Sequence, residues 1–267
     1  MNIKKYKAEF LKNGYIKVNV VDKKKLNILK ESFAGMVEVL IKKKFNLKTH
    51  FKNKNAKINY LLNQGMLKLD KKNHKYISNL YDQIVKSVDF YNLITEKKII
   101  SLVNGLLDRK KNLNLYVNST SIRMDTPGLT PFVYGWHQDS KSNIKNSNFI
   151  QMWMPVFNDV EKELGGLHIL EKSFKHKILT THTKVEKEKL KNKEILRAAP
   201  NVKILSKGLN LREKVLCANV GEAIFFNKNL MHKSGINITK NKLRYVCTSF
   251  YHDIYNPNWK FEKLDHK

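Results

Sequence analysis

The second half of the chain alternates short apolar runs with turn residues, and this alternation restricts the fold more than any other feature. Runs of this length that are bounded by Gly, Pro, Asn and Asp are typical of β-strands. About eight of them predict a double-stranded β-helix, a jelly roll whose open end can hold a ligand. The predicted strands lie at 113–116, 121–124, 132–137, 149–157, 166–170, 213–217, 223–226 and 244–251.

The first hundred residues predict a mainly helical scaffold that packs against the outside of the sheet. A short strand is expected at 14–20, and Asp22 is placed to cap the helix that follows it. A second helical region is expected at 77–107, where apolar residues recur at helical spacing. The stretch 45–75 is rich in Asn and Lys, which leaves its secondary structure open and makes it a candidate for the pocket entrance.

Two histidines and one aspartate are spaced as ligands of a catalytic metal. His137 and Asp139 are two residues apart, so in an extended strand both side chains point the same way. His232 follows the apolar run 223–226 and is expected at a strand end. Two imidazoles and one carboxylate on one face of a metal leave the opposite positions open, as in non-haem iron enzymes. A His-x-Asp triplet also occurs by chance, so the motif alone does not establish this site.

Arg244 adds a candidate anion site to this pattern. It follows His232 and begins a strand-like run, in a chain where lysine heavily outnumbers arginine. The planar guanidinium matches a carboxylate through two hydrogen bonds, a geometry that lysine does not offer. An ordinary ion pair is the alternative role for Arg244.

Taken in order, these segments resemble the phytanoyl-CoA dioxygenase-like branch of the iron(II)/2-oxoglutarate-dependent oxygenases. The resemblance extends from about Tyr116 to about Phe250 and implies a cupin-like jelly roll. Its segments are 121–125 with Pro127 and Gly128, 135–139, 151–156, 163–170 and 221–232.

The resemblance implies roles for individual residues. His137, Asp139 and His232 would hold Fe(II), while Arg244 and Ser234 would bind the distal carboxylate of 2-oxoglutarate. Trp153 matches a position beside the cosubstrate, although a core tryptophan is a nearly equal alternative, and Gln138 fits the pattern without a defined role.

One segment departs from the family pattern. Where the family has a Pro-Gly-Ser-His turn, this chain has 171–176, so Ser173 and His176 receive no role.

The implied reaction consumes O2 and 2-oxoglutarate, releases succinate and CO2, and hydroxylates an unactivated C–H bond. Relatives that halogenate have a small residue in place of the carboxylate of Asp139, so hydroxylation is favoured. The substrate is expected to be a small molecule or one linked to a lipid or a sugar. An anionic substrate is one of the alternatives. The sequence does not identify the substrate or the oligomeric state.

The formal charge of +28 raises the alternative of a nucleic-acid-directed oxygenase. The lysines are dispersed along the chain, however, and no segment interleaves arginine with aromatic residues. A metal-binding β-helix protein without catalytic activity is the other alternative, since a fold does not establish a function. The complete ligand triplet argues against it.

We expect a single oxygenase domain over 1–267, with a helical scaffold at 1–110 and the β-helix core at 111–255. The insertion near 180–211 is expected to form a lid, helical at 185–190, in which Lys193, Arg197 or Lys203 could bind an anionic substrate. The sequence shows neither a membrane span nor an apolar secretory segment, and a reduced compartment suits ferrous iron. A cytoplasmic location with free Cys217 and Cys247 is therefore expected.

Overall fold

The protein is described by a computed structural model that covers residues 1–45, 50–109, 115–128, 135–139, 147–176, 180–182, 202–204, 211–256 and 259. Helices dominate the first hundred residues. They are α1 (Ile3–Asn13), α2 (Lys23–Phe45), α3 (Lys54–Tyr60), α4 (Met66–Lys72), α5 (Lys75–Ile84), α6 (Val88–Ile94) and α7 (Lys97–Leu106). A single turn of π-helix (Leu61–Gly65), which we call the π-turn, lies between α3 and α4.

The strands come mainly from the second half of the chain. They are β1 (Tyr15–Asn19), β2 (Tyr116–Asp125), β3 (Phe149–Pro155), β4 (Leu167–Leu170), β5 (Thr180–His182), β6 (Val202–Ile204), β7 (Glu213–Leu216), β8 (Glu222–Asn227), β9 (His232–Ser234) and β10 (Arg244–His252).

Two antiparallel sheets form the core. The large sheet has the strand order β1-β8-β3-β10-β2, and the small sheet has the order β7-β4-β9. Every residue of β3 is buried, because β3 is central and both faces of the large sheet are covered. A separate two-stranded sheet pairs β5 with β6 inside the 180–211 insertion.

The two faces of the large sheet have different neighbours. One face contributes Ile122, Met152 and Cys247 to a core that includes the helices. The opposite face contributes Trp153, Ile224 and Val246 to a second core with residues of the small sheet. We call this opposite face the inner face. Because side chains alternate along a strand, every second residue of β2, β3, β8 and β10 points to the inner face.

The helical layer confirms several predicted features. The strand expected at 14–20 is β1, and the Asp22 carboxylate accepts the backbone N–H of Lys24 at 2.7 Å, as expected of a cap for α2. The helical region predicted at 77–107 consists of three helices, α5, α6 and α7, whose boundaries the sequence did not predict. Ser87 interrupts it, because its hydroxyl accepts the N–H of Phe90 at 3.2 Å and caps α6.

Other elements differ from expectation. Helices α3 and α4 occupy the polar stretch 45–75 that the sequence left open, and α1 was not predicted. Of the strand predicted at 132–137, the described residues 135–137 contain an isolated bridge at His137, and residues 132–134 lie outside the described residues. Residues 113 and 114 of another predicted strand also lie outside them, and the strand begins at Tyr116.

The helix predicted at 185–190 lies outside the described residues, as do Lys193 and Arg197. Lys203 lies in β6. Cys217 and Cys247 are free thiols, as expected. Within the described part of the chain, every helix is too short or too polar to cross a membrane.

Candidate metal centre and anion site

The three predicted metal ligands come together between the two sheets. The ligand atoms of His137, Asp139 and His232 all lie within 4.8 Å of one another. The Asp139 carboxylate lies 3.7 Å from His137 Nε2 through one oxygen and 3.3 Å from His232 Nε2 through the other. The imidazole centroids are 4.2 Å apart. One metal ion could therefore contact all three side chains.

The backbone aligns the two histidines directly. His137 N–H donates to the carbonyl of His232 at 2.9 Å, and His232 N–H donates to the carbonyl of His137 at 3.0 Å. Within the described residues 135–139, this antiparallel bridge is the only strand pairing of the segment. His232 lies beyond the apolar strand β8 and is the first residue of the short strand β9, where it pairs with Ile169 of β4, so it lies at a strand end.

Hydrogen bonds to the backbone fix the tautomer of both imidazoles. His137 Nδ1 lies 2.6 Å from the carbonyl of Gly135, and His232 Nδ1 lies 2.9 Å from the carbonyl of Leu230. Because a carbonyl only accepts, Nδ1 must carry the hydrogen in each ring and Nε2 presents its lone pair. This is the usual arrangement of metal-binding histidines.

Burial shifts the pKa values of two ligands in the directions that disfavour their charged forms. It raises the pKa of Asp139, and the neighbouring His137 and Gln151 only partly offset the increase. Burial, followed by the charge of His137, places the pKa of His232 well below its ordinary value. His232 is thus a neutral ligand at neutral pH, and a bound cation would compensate the buried Asp139 carboxylate. The donor set fits a divalent metal such as iron.

Neighbouring side chains hold the segments that carry the ligands. Gln138 Nε2 donates to the carbonyl of Asn229 at 2.5 Å, which joins the His-x-Asp segment to the turn before His232. Ser173, which the sequence left without a role, is fully buried and accepts the N–H of Met231 at 2.8 Å. Both residues support the backbone around the ligands.

Gln151 is a neighbour that the sequence did not single out. Its amide donates a hydrogen bond to the Asp139 carboxylate. It lies on central strand β3 in register with Phe226 of β8, whose ring lies 4.8 Å from that of His232. Only the pairing register reveals this proximity, since Gln151 belongs to an otherwise apolar run.

Arg244 is buried at the first position of β10 and makes several hydrogen bonds. Its Nε and Nη2 donate to Asp125 Oδ2 at 3.0 and 2.8 Å. Its Nη1 donates to the carbonyl of Gly235 at 2.8 Å and to that of Gly165. The guanidinium therefore already has an acidic partner, in agreement with the alternative ion-pair role, although the sequence did not identify Asp125 as that partner.

Two glycines make room for the guanidinium. Gly165 has a φ of +91°, and a Cβ at this position would lie 2.5 Å from Arg244 Nη1 and 2.7 Å from the carbonyl oxygen of Gly235. A Cβ on Gly235 would lie 2.4 Å from the carbonyl oxygen of Gly166. Only glycine lets these loops approach each other and Arg244 this closely.

A second arginine completes a charged cluster of Arg123, Asp125 and Arg244. Arg123 donates to Asp125 Oδ1 at 3.2 Å. Burial alone would raise the pKa of Asp125, but the charges of Arg244 and Arg123 outweigh it and hold that pKa below its ordinary value. The three side chains together carry one net positive charge. A further carboxylate would neutralise the cluster.

The remaining predicted residues also lie near these groups. Trp153 is buried on the inner face, in register with Thr248 of β10, and Ser234 pairs with Leu167 two positions after His232. Lys228, which the sequence did not single out, is half-buried four residues before His232, and its Nζ donates to the carbonyl of Ser147. Burial lowers the pKa of Lys228.

Comparison with solved structures finds the same fold in proteins of low sequence identity. EctD from S. alaskensis, solved with 2-oxoglutarate and 5-hydroxyectoine, has a TM-score of 0.58 and 14% identity over 94% of this chain and 76% of its own. The epimerase SnoN from nogalamycin biosynthesis was solved with Fe3+, α-ketoglutarate and nogalamycin RO. It has a TM-score of 0.56 and 13% identity over 94% of this chain and 83% of its own.

EvdO2 from Micromonospora carbonacea var. aurantiaca, solved with 2-oxoglutarate, has a TM-score of 0.51 and 15% identity over 93% of this chain and 90% of its own. Comparison with curated protein sequences gives no match. The family model described as phytanoyl-CoA dioxygenase (PhyH) matches residues 10–245, which extends the predicted resemblance to the helical layer. The chain therefore belongs to the phytanoyl-CoA dioxygenase family and is an iron(II)/2-oxoglutarate-dependent oxygenase.

Proposed function

We propose that the protein hydroxylates an unactivated C–H bond of a small organic substrate, using Fe(II), 2-oxoglutarate and O2 and releasing succinate and CO2. The observation that carries this proposal is the convergence of two Nε2 lone pairs and one buried carboxylate within 4.8 Å. The fixed Nδ1–H tautomers of His137 and His232 support it, because they leave only the inward nitrogens available for a metal.

In this proposal His137, Asp139 and His232 hold the iron on one face. Bound iron would supply the oxidising chemistry with 2-oxoglutarate and O2, while the protein supplies geometry and a water-poor site. Asp139 supports hydroxylation over halogenation, since its carboxylate occupies the position that a halide would need. Phe226 and Trp153 contribute apolar surface to the inner face.

We assign the distal carboxylate of 2-oxoglutarate to the end of the site that contains Arg244 and Ser234. Support comes from the net positive charge of the Arg123–Asp125–Arg244 cluster. Asp125 orients Arg244 by occupying its Nε and one Nη2 hydrogen, and the second Nη2 hydrogen is the donor we assign to the cosubstrate. Trp153 is the aromatic neighbour in this assignment.

For the primary substrate we propose an anionic small molecule. Lys228 supports this proposal because its half-buried ammonium has no ion-pair partner among the described residues. Small molecules are bound by two structural neighbours, SnoN with nogalamycin RO and EctD with 5-hydroxyectoine. Lysines of the 180–211 insertion, including Lys203, remain candidates for the same role.

The cofactor site can be tested without a known substrate. Anaerobic titration of the metal-free protein with Fe(II) and 2-oxoglutarate should produce a weak visible charge-transfer band. His232→Ala and Asp139→Ala should weaken iron binding and remove the band, while Arg244→Ala should raise the 2-oxoglutarate concentration needed to form it. A folded protein that binds iron but gives no band would contradict the proposed cofactor use.

Hydroxylation needs a separate readout, because neighbours of the same fold include an epimerase, SnoN, and a carbocyclase, SnoK. Once a substrate supports succinate release, the reaction should be run under 18O2. Incorporation of one labelled oxygen atom into the product is expected. A product of unchanged or reduced mass that contains no label would exclude hydroxylation while leaving the iron and 2-oxoglutarate sites intact.

A further inference from the structure

Gln151 lies at the centre of the inner face, beside the candidate metal site. It belongs to β3, which pairs on one side with β8 and on the other with β10. Its register partners are Phe226 and Phe250, both apolar. Gln151 is only 6% exposed. A polar group buried in these surroundings is costly unless both ends of its amide are satisfied.

Only one end of the Gln151 amide is satisfied by the described residues. A carboxylate can only accept hydrogen bonds, so the end that faces Asp139 must be Nε2. Oε1 is then the opposite end, and this buried oxygen has no hydrogen-bond partner within the described part of the chain. The contact with Asp139 therefore fixes Gln151 Oε1 as a hydrogen-bond acceptor next to the metal site, and this acceptor lacks a donor among the described residues.

A ligand that carries an O–H or N–H group would complete this arrangement. Phe226 and Phe250 have no side-chain donors to offer, and no other described residue donates to this oxygen, so we assign the donor to a bound molecule. A site built to accept a hydrogen bond discriminates against analogues that lack the donor, because they leave the acceptor buried and unpaired.

We propose that Gln151 is a substrate-recognition residue whose Oε1 accepts a hydrogen bond from a hydroxyl or amino group next to the carbon that is oxidised. The same amide links that group to Asp139, so substrate and metal ligand are oriented together. This inference rests on the proposed function and adds a chemical class to it. The substrate is a molecule with a hydrogen-bond donor close to the reacting C–H bond.

The test uses protein loaded with Mn(II) and 2-oxoglutarate and three alcohols as probes: glycerol, cyclohexanol and serine. Each is compared with its O-methyl counterpart, which lacks the donor. Paramagnetic broadening of the probe proton signals reports binding near the metal. The alcohols should bind up to about tenfold more tightly than the ethers, the upper range for one net hydrogen bond.

Gln151→Met keeps the side-chain length and removes the acceptor, so the preference for alcohols should disappear. Gln83→Met, at an exposed position of α5, is the matched control and should retain it. Equal binding of alcohols and ethers to the wild-type protein would overturn the inference, as would a preference that survives in Gln151→Met. Failure of the wild-type protein to form the Mn(II)–2-oxoglutarate complex would instead overturn the proposed function on which the inference rests.

Discussion

Single side chains decide the electrostatics of the site, and Asp125 is the clearest case. It is buried between Arg123 and Arg244, and its carboxylate is the only acidic group that the described residues provide to Arg244. A buried guanidinium that loses its carboxylate keeps the cost of desolvation without the compensating attraction. Asp125 therefore stabilises the fold as well as orienting Arg244.

We expect Asp125→Ala to lower the free energy of unfolding by about 3 to 5 kcal/mol, the usual cost of breaking a buried ion pair. Urea denaturation measures this change. Glu31→Ala is the matched control, because Glu31 pairs with Lys54 at 2.6 Å on the exposed surface. The free energy of unfolding of this control should fall by less than about 1 kcal/mol. Similar losses in both variants would show that the Asp125 pair is no more important than a surface pair.

His252 makes a second prediction at the residue scale. It is fully buried, with Nδ1 2.6 Å from the Ser147 hydroxyl and Nε2 2.9 Å from Asn118 Oδ1. Burial and then the charge of Lys228 lower the pKa of His252 from 6.5 to about 4. The unfolded chain therefore takes up this proton at a higher pH than the folded protein. The contribution of neutral His252 to the free energy of unfolding is fully present above pH 6.5 and is lost as the pH falls to about 4.

Between these pH values the wild-type protein should lose about 3 kcal/mol more stability than His252→Gln, which has no imidazole to protonate. Urea denaturation at a series of pH values, with EDTA present to remove metal, measures both profiles. The contribution of His232 is common to the two proteins and cancels in the comparison. Parallel profiles would mean that His252 does not resist protonation in the folded state.

The residues that could be predicted from the sequence are those whose chemistry is visible in residue type and spacing. His137, Asp139 and His232, whose ligand atoms the structure brings together, belong to this group, and so does Arg244, whose role toward the cosubstrate stays a prediction. Gln151 and Asp125 do not, because their relevance depends on which strands pair and in which register. No local pattern distinguishes a glutamine that touches a metal ligand from one at an ordinary strand position.

At the scale of elements, the π-turn links the helical layer to the anion site. The Tyr245 hydroxyl donates to the carbonyl of Leu62 at 2.5 Å, and the N–H of Leu243 donates to Asn63 Oδ1 at 3.1 Å. Both residues that flank Arg244 are thus attached to the same turn. A π-turn leaves backbone groups available for such partners and often occurs at functional sites.

Tyr245→Phe should lower stability by about 1 to 2 kcal/mol, because it leaves the carbonyl of Leu62 without its donor. It should also raise the KM for 2-oxoglutarate in substrate-free turnover more than it changes kcat, since the support of Arg244 is weakened. Tyr251→Phe is the matched control, because Tyr251 is equally buried on β10 and its hydroxyl donates to the carbonyl of Ile94 at 2.8 Å. Equal KM values in the two variants would contradict a positioning role for the turn.

The elements could be predicted to different degrees for physical reasons. Strands β3, β8 and β10 carry long apolar runs, so their positions were evident from composition. The positions of helices α3 and α4 could not be predicted, because their solvent-facing positions hold Lys and Asn and only a narrow apolar stripe is buried. The break before α6 was missed because helical periodicity continues across the Ser87 cap, and a cap acts through one hydrogen bond.

At the scale of the whole molecule, the dominant property is charge. The chain has 51 basic and 23 acidic residues, and a net charge of +28. The described ion pairs are mostly solvent-exposed pairs such as Lys54–Glu31 and Lys7–Asp108, which leave most lysines uncompensated. Mutual repulsion of this excess charge opposes the compact state, and the same field attracts anions such as 2-oxoglutarate.

Added salt should therefore have two opposite effects. Between about 0.01 M and about 1 M NaCl the Debye length falls from about 30 Å to about 3 Å, so repulsion among dispersed lysines is screened and Tm should rise. Over the same range the KM for 2-oxoglutarate should increase, because screening weakens long-range attraction of the anion. Differential scanning calorimetry and substrate-free succinate release measure the two effects. A Tm that falls with salt would mean that the surface ion pairs outweigh the repulsion, and that the excess lysines do not destabilise the fold.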